Sequence, residues 1–365
     1  MKLQDYIDLT LLDRDLHDKY ITARAHPLLP LVIYNYTAKA QYNRHWNEAT
    51  RKCRGLIVCQ KTNEVVGRPF EKFFEISDPL CPGIPKDSAE FLSPHVSEKV
   101  DGSLIVLVNY NGMLVCSSRG SFVSDQAILA ENLILDHYRK HGGDNPADLI
   151  AKNETLLAEI VYPENQIVVN YGNQEYLAFL ALVKNETGVE DNTRLTTIAA
   201  ALGQRIVRRR DVVEGVERDM AVCMAECPGN QEGFVVEWPR KDGPTLRIKY
   251  KTEWYKRNHR FKYVYTPKKV VEDLLEGKPL GPLMESCDLN NLPKLTDVVE
   301  KFAASVGEQC KDLMWDFAFR PDGDRKKVSE YFKLCKNTHS LFTLLDNNNP
   351  LGRLMKNAKE QALRS

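Results

Sequence analysis

Five residues far apart in the chain could share one reaction centre: Lys99, Glu159, Glu232, Lys249 and Lys251. Lys99 stands in SEKVDGSLIVLVNY, between an acidic residue and the turn-forming Asp101-Gly102-Ser103, just before a strongly β-prone run. A lysine amine becomes a nucleophile when its surroundings strip its proton. Alone, Lys-x-Asp-Gly proves little, since average composition yields it by chance in roughly one chain in ten of this length. A lysine decorating a hairpin mouth would explain it equally well. The later runs change that balance. LLAEIVYPENQIV sets Glu159 inside an apolar run, and NQEGFVVEW sets Glu232 directly before another. LRIKYKTEWY spaces Lys249 and Lys251 two apart, so both project from one face of a strand. A single carboxylate in such a run ordinarily means a salt bridge. Two carboxylates and three lysines at strand ends fit a site for a polyanion and a metal.

The elements that must position these groups are mostly strands. From about residue 30 to 250, β-rich runs recur: PLVIYNY, CRGLIVC, SLIVLVNY, MLVCSS, TLLAEIVY, QIVVNY, EYLAFLALV, GFVVEW and LRIKYK. Asn111-Gly112 between two of them is a strong hairpin signal. One helix-like segment, SDQAILAENLILDHYRKHGG, interrupts them, with Ser124 as its N-cap and Gly142-Gly143 at its end. Beyond about residue 253 helical periodicity takes over, in KKVVEDLLEG, LTDVVEKFAASVGEQCKDLMWDFAF, DRKKVSEYFKLCK and LGRLMKNAKEQALRS. The pattern predicts an α+β, antiparallel-sheet domain over residues 1–252 and a smaller all-helical domain over 253–365.

Bulk properties bound the rest. The 365 residues suffice for two domains, and 43% hydrophobic with 27% charged residues is ordinary for a globular chain. The formal net charge is zero, so any grip on nucleic acid depends on local patches. One such patch is KYKTEWYKRNHRFKYVYTPKK at 249–269, with eight Lys/Arg, one Glu and six aromatics. Cations there could track phosphates and aromatics could stack on unpaired bases. No run approaches the roughly 18 apolar residues of a membrane span. The charged N-terminus and nine cysteines without disulfide or zinc spacing fit a reducing cytoplasm. No Gly-x-x-x-x-Gly-Lys-Ser/Thr loop is present, so nucleotide binding of the P-loop kind is unsupported.

Taken together, these stretches resemble the covalent nucleotidyltransferases, the superfamily of polynucleotide ligases and capping enzymes, and within it the phage RNA ligase 1 family. Lys99-Val100-Asp101-Gly102 resembles the superfamily's nucleophile motif. SSRGS with Arg119, AEIVYPENQIV with Glu159, EGFVVEW with Glu232 and RIKYK with Lys249 and Lys251 resemble the motifs that follow it. The assignment to RNA ligase 1 rests on YNYTAKAQY, KCRGLIV with Arg54, RPFEKFFE with Lys72, KNETG and EWYKRNH.

The resemblance implies a nucleotidyltransferase domain of the ATP-grasp-like ligase kind. It implies an ATP-dependent RNA ligase that joins 5′-phosphate to 3′-hydroxyl ends on single-stranded or nicked-loop RNA, with tRNA repair as its setting. Lys99 would attack the α-phosphate of ATP and form lysyl-AMP, with Lys249 and Lys251 catalytic beside it. Glu159 would hold the ribose hydroxyls, and Arg54 and Lys72 the triphosphate tail. Glu232 would hold Mg²⁺, largely through water. Glu98, Asp101, Gly102, Arg119, Tyr34 and Tyr255 complete the expected nucleotide site. Lys249 and Lys251 facing Lys99 would lower its pKa well below the ordinary lysine value. The expected protein acts as a monomer in the cytoplasm, that of the host if a phage encodes it. Two other readings stay open. One is a DNA ligase or capping guanylyltransferase, although the C-terminal third lacks strands for the module those enzymes append. The other is a nucleic-acid-binding protein without chemistry.

Overall fold

The β-rich runs pair into three sheets. The computed structural model describes residues 1–85, 89–227 and 229–264, and beyond them 297, 300–301, 303–308, 312–313, 316, 325–335 and 341. The first sheet runs β1 (Ile21–Ala25), β2 (Leu31–Tyr36), β3 (Arg54–Cys59) and β4 (Glu64–Gly67), all antiparallel. The other strands are β5 (His95–Lys99), β6 (Ser103–Tyr110), β7 (Met113–Ser118), β8 (Glu154–Val161), β9 (Tyr176–Lys184), β10 (Arg205–Ile206), β11 (Arg209–Asp211), β12 (Gly233–Arg240) and β13 (Gly243–Lys251). The second sheet has the order β10-β9-β8-β6-β7 and the third β11-β5-β12-β13. Among these pairs only β9 and β10 run parallel. The helices are α1 (Leu9–His17), α2 (Ala38–Tyr42), α3 (Glu48–Lys52), α4 (Asp125–Lys140), α5 (Asn192–Ala201), α6 (Val216–Glu226) and α7 (Glu253–Val264).

Continuous apolar strands are explained by burial on both faces. Ile105 and Leu107 of β6 pack with Ala130 and Ile134 of α4 and Leu195 and Ile198 of α5. The alternate residues Leu104, Val106 and Val108 pack against Leu31, Ile33 and Ile57 of the first sheet. The second sheet is thus the middle layer. In the third sheet Val96, Val236 and Ile248 pack on Val216 and Met220 of α6. Its other face carries Ser97, Lys99, Glu237, Arg247 and Lys249, several of which line a cavity together with Leu104, Glu159 and Leu180 of the second sheet.

The local signals place α4 and the β6–β7 hairpin. Ser124 Oγ accepts from the Ala127 N–H at 3.4 Å. Asn111 and Gly112 both take left-handed φ values, 53° and 84°, as a tight hairpin turn of the Asn-Gly type requires. QIVVNY is the expected strand that the structure replaces with irregular backbone. The N–H groups of Val168 and Val169 donate instead to the Asp101 carboxylate, each at 2.8 Å.

The chain divides into two compact units, Met1–Tyr255 and Lys256–Ser365. The division falls three residues past the expected boundary, because Tyr255 is buried and its hydroxyl donates to Asp101 at 2.7 Å. Of the expected C-terminal helices, the DRKKVSEYFKLCK segment forms the helix Arg325–Phe332. The described residues between 296 and 320 are helical, while KKVVEDLLEG and LGRLMKNAKEQALRS lie outside the described residues. Among described residues no helix is long and apolar enough to cross a membrane.

Candidate active site

Lys99 is the last residue of β5 in the third sheet, and Ser103 is the first of β6 in the second. The Val100-Asp101-Gly102 link is therefore a crossing between sheets. Gly102 permits the crossing: a Cβ there would sit 2.3 Å from the Ile160 carbonyl oxygen and 3.1 Å from Cγ of Glu159. Asp101 fixes the turn. Its carboxylate accepts from Val168, Val169 and Tyr255, and its own N–H donates to the Tyr171 hydroxyl at 2.9 Å. Burial, followed by the nearby Glu232, pushes its pKa up.

Across the third sheet, Gly233 pairs with Lys99 on one side and Lys251 on the other. Its φ of +146° and the 2.0 Å approach that a Cβ would make to the Tyr250 carbonyl oxygen require glycine. This brings the preceding Glu232 between two amines. Lys99 Nζ donates to Oε2 at 2.6 Å, and Lys251 Nζ lies 3.1 Å from Oε1. Glu159 sits on β8 opposite Leu104. Its burial pushes its pKa to about 7, with Lys99 pulling it down and Glu232 raising it.

The remaining cations gather around an aromatic loop. Lys249 lies over Phe73 at 5.0 Å, and Arg54 lies over the same ring at 5.8 Å. Lys72 lies over Trp46, Tyr36 and Phe74 at 4.8, 5.4 and 5.8 Å. Arg119 stacks on Tyr36 and donates to its hydroxyl at 2.8 Å. Burial, then the charges of Lys72, Lys99, Arg54 and Lys251, brings the pKa of Lys249 down to about 6. Burial also lowers Lys72 and Arg54. Arg54, Lys99, Glu159 and Lys249 are polar walls of a cavity of about 120 Å³ whose apolar walls include Leu104, Leu180, Val207 and Val235, while Lys72 lines a different cavity.

Most expected site residues gather here, with three corrections. Tyr34 packs against the N-terminal core of Leu3, Ile7 and Leu12, whereas Tyr36 stands among the cations. The pairing register shifts between Tyr34 and Asn35, so tyrosines two apart have different neighbours. Glu98 lines the cavity, yet its carboxylate is taken by the Arg208 N–H and by Arg205. The expected depression of the Lys99 pKa is reversed in the free protein. Burial pulls it down, but Glu232 and Glu159 outweigh that and raise it. Sequence reading missed Tyr36, Trp46, Phe70, Phe73 and Phe74, although YNYTAKAQY and RPFEKFFE contain all of these but Trp46. Among the described residues no three His, Cys, Asp or Glu side chains form a metal-ligand cluster. The arrangement can hold a planar apolar group against its apolar wall, hydroxyls at Glu159 and a polyanion at the cations, with an amine between.

The comparisons agree with this chemistry. The RNA ligase family model matches residues 52–255, more than half of the chain. A protein provisionally named as a bifunctional polynucleotide kinase/RNA ligase, from Autographa californica nuclear polyhedrosis virus, is 28% identical over 234 residues, covering 60% of this chain and 32% of that protein. One provisionally named as an RNA ligase, from Thermovibrio ammonificans, is 28% identical over 237 residues, covering 64% and 58% respectively. The match therefore spans less than two-thirds of either relative's length. A solved archaeal ATP-dependent RNA ligase aligns over 98% of this chain and 82% of its own, at a TM-score of 0.43 and 13% identity, too remote to bear on function. By the span of the family match, this chain belongs to the phage-type RNA ligase family of the covalent nucleotidyltransferase superfamily.

Proposed function

We propose that this chain is an ATP-dependent RNA ligase joining 5′-phosphate to 3′-hydroxyl RNA ends through a lysyl-AMP and a 5′-5′ adenylylated RNA. The observation that carries this is Lys99, held at Glu232 between two sheets, with Lys251 on the same carboxylate and Lys249 and Arg54 lining the same cavity. The cavity's apolar wall suits the base, Glu159 accepts from ribose hydroxyls, and Arg54, Lys72 and Arg119 meet the polyphosphate. Lys99 Nζ attacks the α-phosphorus and the bond to pyrophosphate breaks. The oxygen of an RNA 5′-phosphate then attacks the lysyl-AMP phosphorus and the lysine nitrogen leaves. A 3′-hydroxyl finally displaces AMP and closes the strand.

In the free protein Lys99 is an ammonium paired to Glu232, and that form is not nucleophilic. Attack requires that its proton leave and that Glu232 cease to hold it as an ion pair. Polyphosphate bound at Lys249 and Lys251 would redistribute that charge. The donor set fits a largely hydrated divalent ion held by Glu232 and phosphate oxygens rather than by a protein cage, and Mg²⁺ suits this best. Such an ion would neutralise phosphate charge when bound. We further read the protein as a cytoplasmic monomer whose C-terminal helices favour nicked tRNA.

Incubation with α-labelled ATP or GTP, or with NAD labelled in its AMP moiety, tests the reading. Covalent label from ATP alone, lost in Lys99→Ala, is expected, together with sealing of a 5′-phosphorylated oligoribonucleotide. Label from GTP, or none, would replace this reading with a capping enzyme or a binding protein.

A further inference from the structure

Arg247 lies in β13 two residues before Lys249, and the nucleophile motif and its relatives give it no role. It is buried, 5% exposed, with carboxylates at its Nε and Nη2. Its Nη2 donates to both oxygens of Glu190 at 2.7 Å, and its Nε donates to Glu237 at 2.9 Å. Glu237 is held in turn by His95 at 2.5 Å, with Arg209 3.8 Å away. The flat face of the guanidinium then lies on Phe70, 3.6 Å from the ring centroid. Phe70 opens the run that contains Lys72, Phe73 and Phe74.

That run is pinned at several points. The Lys249 N–H donates to the Phe74 carbonyl at 3.0 Å, and the Lys72 N–H donates to the Arg51 carbonyl at 2.8 Å. The Phe70 carbonyl receives Arg54 Nη1 at 3.5 Å, a long contact. Phe70 also packs on the core between the first and second sheets, so the Arg247 face is what ties it to β13. A planar, always charged guanidinium suits this place, because it can satisfy two carboxylates in its plane while presenting an apolar face. We infer that Arg247 is a positioning residue: it clamps residues 70–74 onto β13 so that Lys72 stays aimed at the nucleotide's triphosphate. This rests on the ligase reading above.

The test separates two reactions of the full chain: lysyl-AMP formation from ATP, and sealing of pre-adenylylated RNA. The second substrate brings no γ-phosphate and expels no pyrophosphate, so it makes no demand on Lys72. Simple removal of Arg247 would strand two buried carboxylates, so the variant is Arg247→Met combined with Glu190→Gln, which leaves Glu237 with His95 and Arg209. Misplacing a gripping group by about an ångström should raise the KM for ATP roughly ten- to hundredfold. Sealing of pre-adenylylated RNA should fall several-fold less than adenylylation, because its adenosine enters the cavity that Arg247 lines but it does not engage Lys72. Arg247→Lys should show a smaller split of the same kind. Parallel loss of both reactions alongside a fall in Tm would make Arg247 merely structural and overturn the proposal, as would an unchanged KM for ATP. A parent protein that forms no lysyl-AMP would instead defeat the ligase reading itself.

Discussion

Strand β13 carries two basic residues two apart on one face, the buried Arg247 and the half-buried Lys249, and their surroundings are opposite. Arg247 has Glu190 and Glu237 within hydrogen-bond reach, and burial's downward pull on its pKa is overcome by those two carboxylates. Lys249 has Phe73 beneath it and cations as its charged neighbours, and its pKa falls to about 6. The first cluster cancels its own charge, and its geometry is therefore fixed before any ligand arrives. The second is short of anion. A cluster that stays uncompensated in a folded protein gains most from a ligand of the opposite sign, which is the reason the proposed function puts the polyphosphate there.

The contrast is broken most completely at the carboxylate shared by Lys99 and Lys251. Glu232→Ala should reduce both adenylylation and sealing by more than about a hundredfold, as expected when residues act as a unit. Single-turnover assays on each step measure this, and a defect confined to one step would restrict Glu232 to that step. Glu237→Ala attacks the compensated cluster and should destabilise the fold by roughly 3–5 kcal/mol, the usual consequence of leaving a partner charge buried and unpaired. Urea unfolding reads that loss directly. A change near zero would mean that water already reaches the network.

Lys249→Met sharpens the comparison with opposite signs for stability and function. The folded state holds this amine at a pKa of about 6, so near neutrality the unfolded chain binds a proton that the folded chain does not. Removing the amine should raise stability by on the order of 1 kcal/mol, discounted for solvent access, while weakening ATP binding. Differential scanning calorimetry and ATP titration together check both signs. Unchanged Tm with weaker binding would show that the amine is well solvated.

The smallest effect is in pH. Triphosphate favours the charged form of Lys249, whose pKa in the free protein is about 6, so affinity should decline as pH rises above that value. Ribose hydroxyls favour ionised Glu159, whose pKa is about 7, so affinity should decline as pH falls below it. A shallow optimum between these values is expected in the ATP affinity. Lys249→Met should remove the alkaline decline and Glu159→Gln the acid one. Titrations in buffers of different ionisation enthalpy would expose the matching proton uptake and release, and a flat affinity in the parent would refute both assignments.

Several features of this protein follow from its sequence alone because they are decided within a few residues. The Asn111-Gly112 turn needs left-handed backbone that these residue types supply, and Ser124 caps α4 through its own neighbours. Lys249 and Lys251 share a face because a strand alternates with period two. The order of Lys99, Glu159, Glu232 and the paired lysines likewise identifies the family before any coordinate is considered. What required the tertiary structure depends on partners far along the chain. QIVVNY is as apolar as its neighbours, yet its N–H groups satisfy Asp101 and it forms no strand. The local sequence left a hairpin mouth open as one setting for Lys99, whereas the structure ends one sheet at Lys99 and begins another at Ser103. Its charge state was expected to follow the nearby lysines, and it follows Glu232, 133 positions away. Local periodicity fixes which way a side chain points; only the assembled sheets decide what it meets there, and at short range in a partly desolvated cleft that neighbour sets the charge.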